Sequence, residues 1–504
     1  MAKLRREVTR LRRELGPAEA MALSLALMAP TLAASLNGAG IANLAGGSVP
    51  LVMVLSTAGV ALIAFGFIKL TRAYNHAGSV YALTGITLGP RSGFFAGFAL
   101  LGVYLAFSGS TLTGTNVFAE AFLSSVGVDI SAGAVWLLIS LVAAGVGLAL
   151  ACRDVKVIAR TLLAIEAVSI VLIVVLSTIV LVKVGADGKT IGAASEGTIS
   201  KSPFTAGSLG LSALASATVI GFFSFAGFEA SASLGEETAN PRKYIPLALG
   251  ASVVLGGLLF VYAMYSQSVG FGTDTDGIAA YASSGAPIGD LAKFYVGRWM
   301  EVLLNLGAMM SAFAALLGCV AAAGRLLFAL ARDGFGPGRF TSVSAQSGAP
   351  TIAIGAAVAF GLCAVLLIHG AAGVSLFDTY FYLGTVGSLC LLVAYAMTSI
   401  GAIRLSLRDG AGKAVRDVII NGLGIAFAVY ILFKSVYPVA ESPANRFPYI
   451  AGAWLLVGGA IVLLSPRLTE RIGQNLAASE GFETEPSTSE PNPSARKGSA
   501  SGAP

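Results

Sequence analysis

Apolar stretches of twenty or more residues follow one another along this 504-residue chain, with most of the charges clustered between them. Runs of that length are what a hydrocarbon layer about 30 Å thick asks of a helix rising 1.5 Å per residue. Lipid offers no partner to an unpaired peptide group, so a spanning segment must be a helix or part of a closed barrel. The runs are continuous rather than alternating, which excludes the barrel. Only 12% of the residues are charged, against roughly a quarter in soluble chains. The expected fold class is therefore all-α integral membrane, with about twelve transmembrane helices. The windows lie near 19–43, 49–70, 93–118, 132–151, 161–182 and 208–235, then 246–270, 298–331, 350–370, 374–403, 416–435 and 447–465. Between the second and third, residues 71–92 read as a connection with a short helix around Ser79–Leu88.

Lysine and arginine set the orientation, because loops rich in them stay on the cytoplasmic side. With both termini inside, only Lys183, Lys189, Lys201, Lys293, Arg298, Lys434 and Arg446 of the 32 basic residues fall outside. A wrong span count would scramble that alternation. The net charge of +6 thus reflects topology in a bilayer, and binding to nucleic acid is a poor explanation of it. The arm over residues 1–16 places Leu4, Val8, Leu11 and Leu15 at helical spacing with arginines on the other faces. Such a segment either lies on the anionic leaflet or is a solvated charged arm. From about Ala477 the tail turns to Ser, Glu, Pro and Gly, a composition expected to be disordered.

Two spans carry a signal of interruption. The first contains Ala29-Pro30-Thr31. A proline inside a helix removes a donor and clashes with the preceding turn, at a cost of about 3 kcal/mol, so the helix either kinks or breaks there. The sixth contains Phe225-Ala226-Gly227-Phe228-Glu229, with a glycine and an acid midway along it. Interruptions at matching places, each opening a group of five helices, fit an inverted-repeat carrier whose cargo docks at unwound backbone. Half-helix N-termini can receive a carboxylate. Glu166 lies within the fifth span, where a buried acid requires a partner, a proton or a function.

Three stretches resemble the amino acid–polyamine–organocation superfamily of permeases. Arg72-Ala73-Tyr74-Asn75-His76-Ala77-Gly78-Ser79-Val80-Tyr81 is similar to that family's loop after the second span. Phe225-Ala226-Gly227-Phe228-Glu229-Ala230, continuing through Gly235-Glu236-Glu237-Thr238-Ala239-Asn240-Pro241-Arg242-Lys243-Tyr244-Ile245-Pro246, resembles its sixth span and following loop. Arg325-Leu326-Leu327-Phe328-Ala329-Leu330-Ala331-Arg332-Asp333-Gly334 resembles the end of its eighth. The resemblance implies a five-plus-five inverted repeat with broken helices 1 and 6 (about 17–184 and 205–403). Two further helices over 404–465 and a cytoplasmic tail over 466–504 complete the expected arrangement, in the cell membrane.

It also implies a secondary carrier of amino acids or related amines, driven by protons or, less often, sodium. The substrate would be held by Ala29, Pro30, Thr31, Phe225, Ala226, Gly227 and Phe228. Ala29-Pro30-Thr31 departs from the family's Gly-Ser-Gly-like break. Proline donates no N–H, which leaves Ala29 and Thr31 to meet a substrate carboxylate and keeps a decarboxylated amine open. Some members carry a lysine in the fifth helix where this chain has Ser169. The coupling candidates are then Glu166 as a protonatable group, Ser169 at the place of that lysine, Ser311 as part of a sodium site with first-helix carbonyls, and Glu229, which also suits a structural role. Tyr104 is a further candidate at the pocket. A transport-inactive sensor or partner subunit of the same fold is the alternative reading.

Signatures of catalysis fail. Gly185-Ala186-Asp187-Gly188-Lys189-Thr190 imitates a phosphate loop, but the required first glycine falls at Lys183. The four cysteines and two histidines are scattered and imply no disulfide or metal site. No cofactor is expected, and the chain does not read as an enzyme.

Overall fold

In a computed structural model, residues 16–74, 80–128, 133, 135–153, 156–192, 197–207, 209–234, 238–332, 334–344, 349–408, 411–437, 442 and 444–479 are described. The basic arm and the final tail segment, residues 1–15 and 480–504, lie outside them, as do parts of the loop motifs at 75–79 and 235–237.

Among the described residues, nine stretches of helix are long and apolar enough to cross a membrane. They belong to α3 (Val49–Ala73), α5 (Pro90–Val126), α7 (Lys156–Asp187), α9 (Pro241–Phe271), α12 (Arg298–Arg332), α13 (Thr351–Val365, prolonged by a π turn over Leu366–Ala371), α14 (Leu376–Arg408), α15 (Ala411–Val436) and α16 (Phe447–Leu464). Two shorter apolar helices join them, α6 (Val135–Ala151) and α8 (Leu211–Phe223). The first span is a pair, α1 (Pro17–Met28) and α2 (Pro30–Ala45). Twelve spans result, as the apolar windows predict. The third is longer than its window: α5 runs for 37 residues and its most apolar stretch is 83% buried. It stands in the middle of the bundle, against α12 and α14. At the other extreme is α16, where Leu456, Leu463 and Leu464 are exposed by 75% or more. An apolar face of that kind suits lipid rather than water.

Proline placement explains several helix starts. Pro30, Pro90, Pro241 and Pro287 each occupy a first-turn position, where the missing N–H costs nothing and the fixed φ suits the helix. Short helices fill the connections. α4 (Val80–Leu88) is the one expected after the second span. α10 (Thr275–Ser283) and α11 (Pro287–Tyr295), between the seventh and eighth spans, are not signalled by hydropathy. α10 starts on an Asp274 cap, whose carboxylate accepts the Gly277 N–H at 3.0 Å. α17 (Pro466–Ser479) occupies the start of the expected tail, buries Ile472, and pairs Glu470 with Arg91 at 3.1 Å.

Candidate functional site

The first helix breaks completely rather than kinking. Ala29, between α1 and α2, takes φ 46° and ψ 58°, the single non-glycine residue at positive φ among those described. A left-handed turn at an L-residue costs about 1–2 kcal/mol, and strain of this kind persists only where surrounding packing holds it. α2 then begins with backbone donors that no carbonyl of its own can meet. Pro30 has none. The Thr31 N–H donates to Glu166 Oε1 at 2.7 Å, and the Leu32 N–H donates to Ser311 Oγ at 3.2 Å. Ala33 N–H returns to the Ala29 carbonyl at 3.0 Å. So α7 and α12 cap the break from across the bundle.

The sixth span is broken too. α8 stops at Phe223, the chain turns through Ser224–Gly227, and a 3-10 segment runs from Phe228 to Leu234. Gly227 has φ 99°. A Cβ there would sit 2.9 Å from the Leu27 carbonyl carbon and 3.0 Å from its oxygen. The two breaks therefore touch backbone to backbone, at a point where only glycine fits. The Glu229 carboxylate accepts the Tyr395 hydroxyl. Ser24 Oγ accepts the Ser231 N–H at 3.0 Å, a second tie from the first helix to the sixth.

A cavity of about 40 Å³ lies against both breaks. Its walls are Leu27, Met28 and Ala29 from the end of α1, Leu32, Ala33 and Asn37 from α2, and Phe223 and Ala226 from the sixth span. Phe107 and Thr111 of α5, Ala315 and Cys319 of α12 and Tyr380 of α14 complete them. Its polar groups are already engaged within the protein. Asn37 Nδ2 donates to Ser224 Oγ at 2.7 Å, the Tyr380 hydroxyl donates to Asn37 Oδ1 at 2.9 Å, and Thr111 Oγ1 donates to the Phe107 carbonyl at 2.7 Å. This network ties α2 and α14 to the sixth break.

Of the residues singled out in the sequence, Ala29 and Ala226 line the cavity. Pro30 and Thr31 are buried behind it. Phe225 packs edge-on against Phe260, and Phe228 against Phe67 and Tyr395, so both rings sit among aromatic neighbours rather than in the wall. Glu166 and Ser311 meet at the first break, whereas the Ser169 hydroxyl is returned to Ile165 of its own helix at 2.8 Å. Tyr104 is partly buried and packs on the core. Sequence reasoning missed Asn37, Phe107, Thr111, Phe223, Ala315, Cys319 and Tyr380 as wall residues. Asn37 and Thr111 carried a usable signal, since polar side chains inside apolar spans are costly and seldom idle. The aromatic ones did not, because nothing distinguishes them from core residues until helices are set at depth.

A sequence profile described as an amino acid permease matches residues 17–461. The chain belongs to the amino acid permease family. Among its relatives is the branched-chain amino acid permease BcaP of Bacillus subtilis (strain 168), 24% identical over 92% of this chain and 95% of that protein. The low-affinity putrescine importer PlaP of Escherichia coli (strain K12) is 24% identical over 66% of this chain and 69% of that one. A cationic amino acid transporter of Arabidopsis thaliana, described as mitochondrial, is 33% identical over 37% of this chain, which covers 28% of that relative's length. As an amino acid permease, the chain is a multi-pass membrane protein, and its broken helices stand where the superfamily resemblance places them.

Proposed function

We propose that this permease is a secondary active transporter of amino acids or related amines, working by alternating access around the first and sixth breaks. What carries the reading is the contact of the two breaks, Gly227 against the Leu27 carbonyl, beside a cavity lined by both. Broken helices in contact can tilt past one another with little loss of packing, and unwound backbone at membrane depth endures where it lines a cavity. Glu166 is the proton-coupling group in this reading. It is buried, is hydrogen-bonded to the break itself, and adds or loses its charge where α1 and α2 hinge. The distribution of lysine and arginine supports both termini in the cytoplasm and residence in the cell membrane.

The test is uptake of labelled substrate into proteoliposomes with an imposed pH gradient. Saturable accumulation that collapses with the proton gradient, and that Glu166→Gln uncouples, is the expected result. Accumulation that follows a sodium gradient and ignores protons would refute the coupling. Binding without flux would refute the carrier and favour a sensor.

A further inference from the structure

Four helix ends meet at the two breaks, and their charges do not cancel. α1 ends at Met28 and α8 at Phe223, both in the cavity wall. The carboxyl end of a helix carries about half a negative charge, although at α8 the Phe222 and Phe223 carbonyls accept the Phe225 and Ala226 N–H at 3.0 and 3.1 Å. Ordinarily the facing amino ends would offset this. Here the amino end of α2 is occupied by an acid of the protein itself, since Glu166 takes the Thr31 N–H. A second acid, Glu229, stands at the head of the 3-10 segment with its carboxyl group bonded to the Tyr395 hydroxyl. Ser311 takes the remaining first-turn donor at Leu32. A cargo carboxylate entering the cavity meets α2 with these donors already in use, and stripping its water without replacing its hydrogen bonds is costly.

The walls point the same way. Phe107 and Phe223 lie with ring centroids 5.0 Å apart, and Phe223 and Tyr380 5.4 Å apart, all three at the cavity. Aromatic faces attract an ammonium group, most strongly where water is excluded. No lysine or arginine is among the described residues of the wall. Apart from Asn37, Thr111 and Cys319, the remaining surface is alanine, leucine and methionine, which suits a short apolar body.

From this we infer that the cargo is an organic amine bound as its cation, with a small apolar body and no carboxylate. The inference rests on the carrier reading above and narrows it from two substrate classes to one.

The test uses the full-length protein in proteoliposomes and pairs of compounds that differ only in the carboxylate: isobutylamine with valine, isoamylamine with leucine, putrescine with ornithine. Competition against counterflow of the best labelled amine, and thermal stabilisation in detergent, read the preference. The amine of at least one pair is expected to half-saturate at a concentration about tenfold or more below its amino acid. Glu166→Ala, which frees the Thr31 N–H, is expected to narrow or reverse that ratio. Should that variant fail to insert, Ser311→Ala frees the Leu32 N–H and is expected to shift the ratio in the same direction. Amino acids outcompeting their amines in every pair, in a protein that transports, would overturn the amine assignment and leave the carrier intact. No flux of either member of any pair would remove both.

Discussion

Gly227→Ala isolates the contact between the two breaks. The added methyl has two independent costs. At φ 99° an alanine is strained by about 1–2 kcal/mol. Its Cβ also meets the Leu27 carbonyl carbon at 2.9 Å and the oxygen at 3.0 Å. These are backbone atoms that cannot rotate away, and overpacking of that kind costs about 1–3 kcal/mol. Together they disfavour this arrangement by roughly 2–5 kcal/mol, which at 1.4 kcal/mol per decade depopulates it by about thirtyfold to several thousandfold. Gly46→Ala is the control: φ there is 52°, but no atom lies within 4 Å of a built Cβ, so strain acts alone. Counterflow rates in proteoliposomes, normalised to inserted protein, should fall at least thirtyfold for Gly227→Ala and less than thirtyfold for Gly46→Ala. If Gly227→Ala transports within twofold of the native chain, the close approach of α1 to the sixth break has no place in the cycle. Equal losses in the two variants would show that backbone strain, rather than contact, limits transport.

Three further substitutions address other parts of the site. Pro30→Ala restores a donor and removes the ring, favouring a continuous first helix by up to about 3 kcal/mol; transport should fall while insertion, followed by size-exclusion profile, stays normal. Tyr395→Phe deletes the hydroxyl that donates to Glu229. One fewer donor to a largely buried carboxylate should lower stability by about 1–3 kcal/mol, seen as a reduced melting temperature that Glu229→Gln in the same chain partly restores. Tyr281→Phe removes the bond to Gln267 Oε1 at 3.0 Å, the link through which Gln267 Nε2 reaches the Ala34 carbonyl at 2.8 Å. Amide exchange across α10 should speed up, and unchanged protection would show that this bond does not hold α10 to α2.

The spans were legible because length and continuity of apolar runs are local properties, fixed by the thickness of the bilayer. So were the break positions: Pro30 cannot continue a helix without loss, and Gly227 stands beside an acid in an otherwise apolar run. The outcome at Pro30 was not legible. A kink and a break differ by one residue's conformation, and Ala29 is driven left-handed by caps contributed from Glu166 and Ser311, 135 and 279 residues away from their partners. α10 and α11 escaped because their short amphipathic faces fold against α2 and α9 rather than into lipid. The wall residues of α5, α12 and α14 escaped because depth and rotation, which decide what a membrane helix shows to a cavity, are set by packing between helices and not by hydropathy.

The two acids show why a break motif alone cannot announce its ligand. Glu229 stands in the first turn of its own segment, beside the motif that contains it, while Glu166 reaches its break from another helix. The local sequence Ala29-Pro30-Thr31 therefore presents a helix amino end like any other, one that would attract an anion if left open. Only the fold reveals that a carboxyl group of the protein already fills that place. Under the amine assignment proposed above, the preference for a cation over a zwitterion would follow from the acid that caps the first break from the fifth span, with the residues of the break unchanged.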